Sequence, residues 1–283
     1  MSAAAEASAL PRSGPVSPGR ARLMFLVFWC CGGLLLVSIV APLIALAALE
    51  SPANMIRVAA MQEVRAAVAL SLGAAGLTAL IAAALGFPLA YVMAHGSFPG
   101  KRVVEAVIDI PLAVPHTVAG IALLAIYGRR GVFGEALESA FGLRFWGTLA
   151  GIVVAMLFVS APFAVNAARI GFEAIDPRLE KVARTLGAGP WKVLVRVTLP
   201  LAWRSLLTGV TLTFARAISE VGAVIILAYY PMTAPIKIYE LFLRFGLREA
   251  AGMALLVLVI ALGLFIGLRY LATGRNLRSE AGR

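Results

Sequence analysis

Six apolar stretches, each of about the 20 residues that a helix needs to cross a hydrocarbon core of roughly 30 Å, dominate this chain. Residues 23–49, 66–94, 147–168 and 250–268 carry no charge, and 103–128 and 206–230 carry two charges each. Inside a bilayer every backbone polar group must be satisfied within the segment, so runs of this length read as helices. The sequence therefore predicts an all-α membrane protein with six transmembrane helices. Composition agrees: 61% of the 283 residues are hydrophobic and only 14% are charged, against about 25% charged in soluble domains.

The net charge of +11 raises the possibility of a nucleic-acid partner, but its distribution reads as topology. The N-terminal segment, residues 95–102, residues 169–204 and the chain from Arg269 onward hold 16 of the 25 Lys and Arg residues. The opposite side holds eight, among them Arg129, Arg130, Lys237, Arg244 and Arg248, and Arg216 lies inside a predicted span. This excess places both termini in the cytoplasm. Membrane lipid is then the expected surrounding and no nucleic-acid partner is expected. Residues 1–22 read as a disordered basic tail, 23–271 as the six-helix domain with a loop at 173–200, and 272–283 as a second cytoplasmic tail. The first apolar run exceeds a secretory core of roughly 7 to 15 residues, so it reads as an uncleaved helix. Cys30 and Cys31 are adjacent, a spacing that suits neither a metal site nor a disulfide framework.

Two spans carry chemistry. The third contains Asp109, Pro111, Pro115, His116 and Thr117; two prolines four apart each remove a donor and crowd the preceding turn, so a kink or break is expected. Broken backbone at membrane depth must be buried in protein or line a cavity; a packing kink near the interface is the alternative. In the fifth span Arg216 and Glu220 share a helix face, with Ser219 beside them. Two central charges cost roughly 5 to 7 kcal/mol and the apolar residues of 206–230 return about 3 to 7, so these groups must pair or meet protein and water. An intrahelical pair that steadies packing and a direct contact with cargo both satisfy that requirement.

Residues 173–200 are a polar island. Asp176 before Pro177 is a helix start, Leu179, Val182, Ala183 and Leu186 recur at helical spacing, and Gly187 supplies a left-handed stop. Gly189 and Pro190 begin a second helix, expected to end at Leu199 and Pro200. The island resembles the cytoplasmic coupling loop of bacterial and archaeal ABC importer permeases. That pattern is Glu-Ala-Ala, three residues, Gly, nine residues, an aliphatic residue, one residue, then Leu-Pro. Aligned on Gly187, the closing elements fall on Val197, Leu199 and Pro200 and the opening triplet on Lys181, Val182 and Ala183, with Glu180 one position before the expected acid.

Further along, residues 215–223 (A-R-A-I-S-E-V-G-A), residues 109–124 and residues 229–235 resemble permeases for tetrahedral oxyanions, particularly the molybdate and tungstate branch. The resemblance implies an ABC importer type I permease-like fold in the cell membrane and an ATP-driven importer subunit working by alternating access. Its implied partners are a second copy of the chain, two ABC ATPase subunits and an extracytoplasmic oxyanion-binding protein. It assigns ATPase coupling to Asp176, Glu180, Lys181, Ala183, Gly187, Ala188, Gly189, Leu199 and Pro200. Pro111, Pro115, His116, Thr117, Arg216, Ser219 and Glu220 fall to the translocation pathway or to helix packing. Sulfate or thiosulfate is the alternative cargo. No phosphate-binding loop is present, so no cofactor is expected on this chain, and ATP and Mg belong to the ATPase partner. A transport subunit rather than an enzyme is expected, since no metalloprotease or nucleophile-elbow motif occurs. A secondary transporter using Asp109, His116, Arg216 and Glu220 as a proton relay would leave the coupling loop unexplained.

Overall fold

The computed structural model describes residues 18–273 and divides into two units, Met1–Glu50 and Ser51–Arg283. The described residues are helical with no strand, as the apolar runs require. The first unit is α1 (Pro18–Ala48), which takes in residues 18–22 of the expected tail. The rest of that tail, and all but residues 272–273 of the C-terminal one, lie outside the described residues.

The second unit begins with α2 (Pro52–Ala60), whose Ser51 cap accepts a hydrogen bond from the Asn54 N–H. The long α3 (Gln62–His95) follows and ends in a turn where Gly100 adopts φ +86°. Next come α4 (Lys101–Ala113), α5 (His116–Tyr127) and α6 (Val132–Phe141). Thr148 caps α7 (Leu149–Glu173), accepting from the Gly151 N–H. Then come α8 (Pro177–Thr185), α9 (Pro190–Val193), a π-turn (Leu194–Thr198) and α10 (Leu199–Ile218). The chain ends with α11 (Gly222–Leu227), α12 (Ala234–Phe245) and α13 (Leu247–Thr273).

Five helices among the described residues are long and apolar enough to cross a membrane: Arg22–Ala48, Gln62–His95, Leu149–Glu173, Pro190–Ile218 and Leu247–Gly267. The pair α4 and α5, bent by 112°, makes a sixth if it counts as one span. This is the break expected from Pro111 and Pro115. The fifth span departs from expectation: it runs from Pro190 to Ile218 rather than over 206–230. Its reason lies at both ends. At the start, the second helix of the polar island does not stop at Leu199 and Pro200 but continues into the span. Pro200 has no N–H and crowds the carbonyl one turn back. The π-turn widens the helix just before it, with the Leu199 N–H reaching the Leu194 carbonyl, so the proline is carried inside a continuous helix. At the far end the helix stops at Ser219, where the Glu220 side chain takes over a backbone donor.

In lipid, helices associate by close packing rather than by a hydrophobic force, which favours small residues at their contacts. The core of the second unit follows this rule. Buried Ala74, Ala75, Ala119, Ala155, Ala217 and Ala223 pack with Ile152, Met156, Val159, Val224 and Leu227, joining α3, α7, α10, α5 and α11. A second cluster, Ala90, Val165, Ala168, Phe172 and Ala202, extends the contact among α3, α7 and α10. Gly209 is needed where α10 crosses α7: a Cβ there would lie 3.2 Å from the Ala164 carbonyl oxygen and from Ala167 Cβ. Gly209→Val is expected to lower stability by about 1–3 kcal/mol through overpacking, measured as an earlier thermal unfolding transition in detergent.

Candidate functional site

Helix α8 is short and amphipathic, and each end is sealed locally. Asp176 Oδ1 accepts from the Arg178 N–H at 2.9 Å, and Pro177 occupies the first turn, where its missing donor costs nothing. At the other end Gly187 adopts φ +84°; its N–H reaches the Arg184 carbonyl and the Ala188 N–H reaches that of Ala183, the pairing of a Schellman stop. Leu179, Val182 and Leu186 are exposed on one side of α8, and Trp191 of α9 is exposed after the turn. Lys181 and Gly189 are exposed, Ala183, Ala188 and Leu199 are half-buried, and Pro200 is exposed on α10.

Glu180 lies away from that apolar face and is buried. Its Oε1 accepts from Thr198 Oγ1 at 2.6 Å and lies 3.2 Å from His95 Nε2, while Arg184 stands 3.7 Å from Oε2. His95 Nδ1 contacts the Tyr91 carbonyl at 3.1 Å, and the imidazole packs with Tyr91 and Phe172. One carboxylate thus ties α8 to the end of α3 and to the π-turn near the start of the fifth span. Neither His95 nor Thr198 was legible as part of this site, because each meets Glu180 only through the tertiary fold.

A second cluster forms where two helices break. Arg216, in the last turn of α10, places Nη2 2.8 Å from Glu220 Oε2 and 2.9 Å from Nε2 of His116, the first residue of α5. His116 Nδ1 is 3.4 Å from Glu220 Oε2. Glu220 Oε1 accepts from the Ala223 N–H at 2.8 Å, which closes the first turn of α11. Ser219 is exposed and donates to the Arg216 carbonyl at 3.0 Å. Thr117 and Pro115 are exposed at the start of α5, while Pro111 lines an apolar cavity of about 340 Å³ with Tyr127, Phe158 and Pro162. Asp109 instead accepts from Asn166 Nδ2 at 2.7 Å, and Glu105 pairs with Arg169 at 2.8 Å. Both contacts fasten α4 to α7, so Asp109 stands apart from the Arg216 cluster.

A third polar group surrounds α12. Buried Glu240 pairs with Lys237 at 3.1 Å and Arg244 at 3.0 Å, and Lys237 reaches Glu63 of α3 at 3.2 Å. Burial opposes the charge of Lys237, but hydrogen bonds and attraction from Glu240 and Glu63 outweigh it and hold its pKa above the ordinary lysine value.

A bent third span, a capped helix bearing an exposed apolar face, and a core of small residues belong to a helical membrane protein of several spans. The family model described as "binding-protein-dependent transport system inner membrane component" matches residues 86–278, and the chain belongs to that family. It is a multi-pass membrane protein and a transport permease. Among its relatives, the molybdate/tungstate transport system permease protein WtpB of Thermococcus kodakarensis is 47% identical over 210 residues, covering 74% of this chain and 79% of that protein. The molybdenum transport system permease protein ModB of Escherichia coli K12 is 37% identical over 221 residues, covering 77% and 96%. A subunit of a bacterial alginate ABC transporter, solved with a periplasmic protein bound to an alginate pentasaccharide, superimposes with a TM-score of 0.72 at 18% identity. It covers 90% of this chain and 95% of that one; at this identity the likeness is one of fold.

Thr198→Val would leave a buried carboxylate short of its closest donor, at a cost of about 1–3 kcal/mol. Amide hydrogen exchange across α8 is expected to quicken in this variant while the core of α7 keeps its protection.

Proposed function

We propose that this chain is the membrane-spanning subunit of an ATP-driven importer for tetrahedral oxyanions, most specifically molybdate and tungstate. The observation that carries the cargo is the 47% identity to a molybdate/tungstate permease over most of both chains. The chain acts as a homodimer with two ATPase subunits on the cytoplasmic side and an oxyanion-binding protein on the other. No covalent chemistry occurs on it; ATP and Mg are used by the partner.

The exposed face of α8, formed by Leu179, Val182 and Leu186 with Trp191 beyond the turn, is the ATPase-docking surface in this reading. An apolar patch rimmed by charge suits a protein partner. Glu180 is then not a contact to the ATPase but the internal fastening behind it. Displacement of α8 on nucleotide binding is passed through Thr198 and His95 to the fifth span and to α3. Movement of those helices alternates access to a central pathway. The polar cluster at the breaks of α5 and α10 belongs to that pathway.

Leu186→Asp puts a charge on the highly exposed apolar residue that caps the end of α8 and is expected to weaken ATPase association by more than about 1 kcal/mol, measured by co-purification at graded dilution. For cargo, the complex of permease, ATPase and binding protein in proteoliposomes is expected to take up molybdate and tungstate only with ATP. Sulfate at about tenfold excess leaves that uptake standing, since discrimination by that factor needs only about 1.4 kcal/mol. Uptake of sulfate in preference to both would transfer the assignment to sulfate, and uptake without ATP would overturn the importer reading.

A further inference from the structure

The cluster around Arg216 has a front and a back. The side chain of Glu220 is 2% exposed, that of Arg216 22% and that of His116 49%; Ser219 is exposed beside them. The carboxylate is therefore sealed in the protein while the nitrogen-bearing groups and a hydroxyl are open. Glu220 cannot turn outward without loss, because Oε1 holds the Ala223 N–H and Oε2 holds Arg216.

The open groups also have unused capacity. A guanidinium has five N–H donors. Here Nη2 serves Glu220 and His116, and the only other contact among the described residues is Nη1 to Ser219 Oγ at 3.5 Å. Because Nη2, which either two-pronged fork would need, is occupied, Nε and Nη1 are left as separate single donors for charge-assisted hydrogen bonds to an oxyanion.

The location is shared by two helix breaks. Gly222, at the start of α11, lies so close to the start of α5 that a Cβ there would fall 2.6 Å from His116 Cβ. Two interrupted helices meeting around half-open polar side chains is the kind of arrangement in which transporters place ions and substrates. An ion pair kept only for packing accounts for Arg216 and Glu220. It accounts neither for the spare guanidinium donors nor for a half-exposed imidazole held against them.

We propose that Arg216, His116 and Ser219 form a low-affinity transfer site for tetrahedral oxyanions, with Glu220 as the positioning residue behind it. The proposal rests on the oxyanion-importer reading. Glu220 has two effects. It orients the guanidinium, and its fixed charge weakens the site: by Coulomb's law a carboxylate about 7 Å from an anion cancels more than half the attraction of a guanidinium at about 4 Å. A transfer site needs that weakness, because an ion must leave as readily as it enters. An uncompensated arginine would hold a divalent oxyanion too long.

The test uses the full complex in proteoliposomes, with molybdate, tungstate and sulfate as probes, and equilibrium binding of tungstate to the permease–ATPase complex without the binding protein. Glu220→Gln keeps a hydrogen-bonding amide and removes the charge. It is expected to tighten tungstate binding by about tenfold or more while slowing ATP-driven uptake, opposite movements that a packing defect does not produce. Removing both charges with Arg216→Gln and Glu220→Gln together is expected to abolish most uptake, and Arg216→Lys, whose single ammonium cannot hold Glu220 and also present separate outward donors as the guanidinium does, to reduce it severalfold. Wild-type uptake by the doubly neutral variant overturns the transfer site and leaves the pair a packing element. Unchanged tungstate binding and uptake in Glu220→Gln overturns it as well, and this single variant decides the matter if the double one does not assemble. If the wild-type complex moves none of the three oxyanions, the importer reading and the transfer site fall together; if it moves one and the variants match it, only the transfer site falls.

Discussion

Every departure from regular helix in this chain must find a partner for the backbone group it frees, because lipid offers none. That requirement organises the second unit. Pro200 sits inside a span only because a π-turn redirects the Leu199 N–H to the Leu194 carbonyl. The break after Ile218 is tolerated because Glu220 receives the Ala223 N–H; outside the spans, α8 too ends on a satisfied turn, Gly187 in the left-handed region letting the Ala188 N–H reach back to Ala183. Each irregularity is thus a point where one particular side chain or one glycine fixes the path. These are also the points at which polar side chains gather.

Movement can pass through such a fold only along its stiff contacts. The small-residue packing of α3, α7 and α10 leaves those helices little freedom to deform individually, since interiors at this density shift as units. Helix α8, by contrast, is joined to them through polar contacts at Glu180: the hydroxyl of Thr198 at the π-turn and the imidazole of His95 at the end of α3. The caps of α8 make it a rigid unit, and Glu180 gives it a defined attachment. The inward turn of Glu180, one position away from the acidic position of the family pattern, thus makes it the attachment behind α8 rather than part of its exposed face.

The parts of this arrangement legible in the sequence are those whose physics is local. Hydropathy places five spans closely, counting the bent pair α4 and α5 as one, and Asp176-Pro177 and Gly187 mark both ends of α8. Pro111 and Pro115 announced the break that separates α4 from α5. A hydropathy window misplaces the fifth span because the second helix of the polar island and the membrane helix are one continuous helix from Pro190 to Ile218. Pro190 to Thr198 is amphipathic yet runs without interruption into α10, and nothing in a hydropathy window distinguishes a carried proline from a terminating one. The i to i+4 pair of Arg216 and Glu220 could be read directly, whereas His116, a hundred residues away, could be proposed for the pathway but not joined to that pair.

The three buried glutamates among the described residues, Glu180, Glu220 and Glu240, show why such junctions resist sequence reading. Each has an arginine one helical turn away: Arg184, Arg216 and Arg244. Each site also includes a residue remote in sequence: His95 and Thr198 for Glu180, His116 for Glu220, and Glu63 through Lys237 for Glu240. The local arginine offsets part of the cost of taking a carboxylate out of water and is visible as a spacing. The remote partner decides where the helix docks and is visible only in the fold. Removing one member of a buried pair strands a charge at about 3–5 kcal/mol, while replacing both can be neutral. Bulk stability therefore gives little reason to keep three such sites. What a charged junction supplies that an apolar one does not is a direction: it holds α8, the break at α11 and α12 each in one place against α3, α5 or the π-turn. In a protein whose helices otherwise meet through interchangeable small side chains, those fixed points set the positions from which any movement is measured.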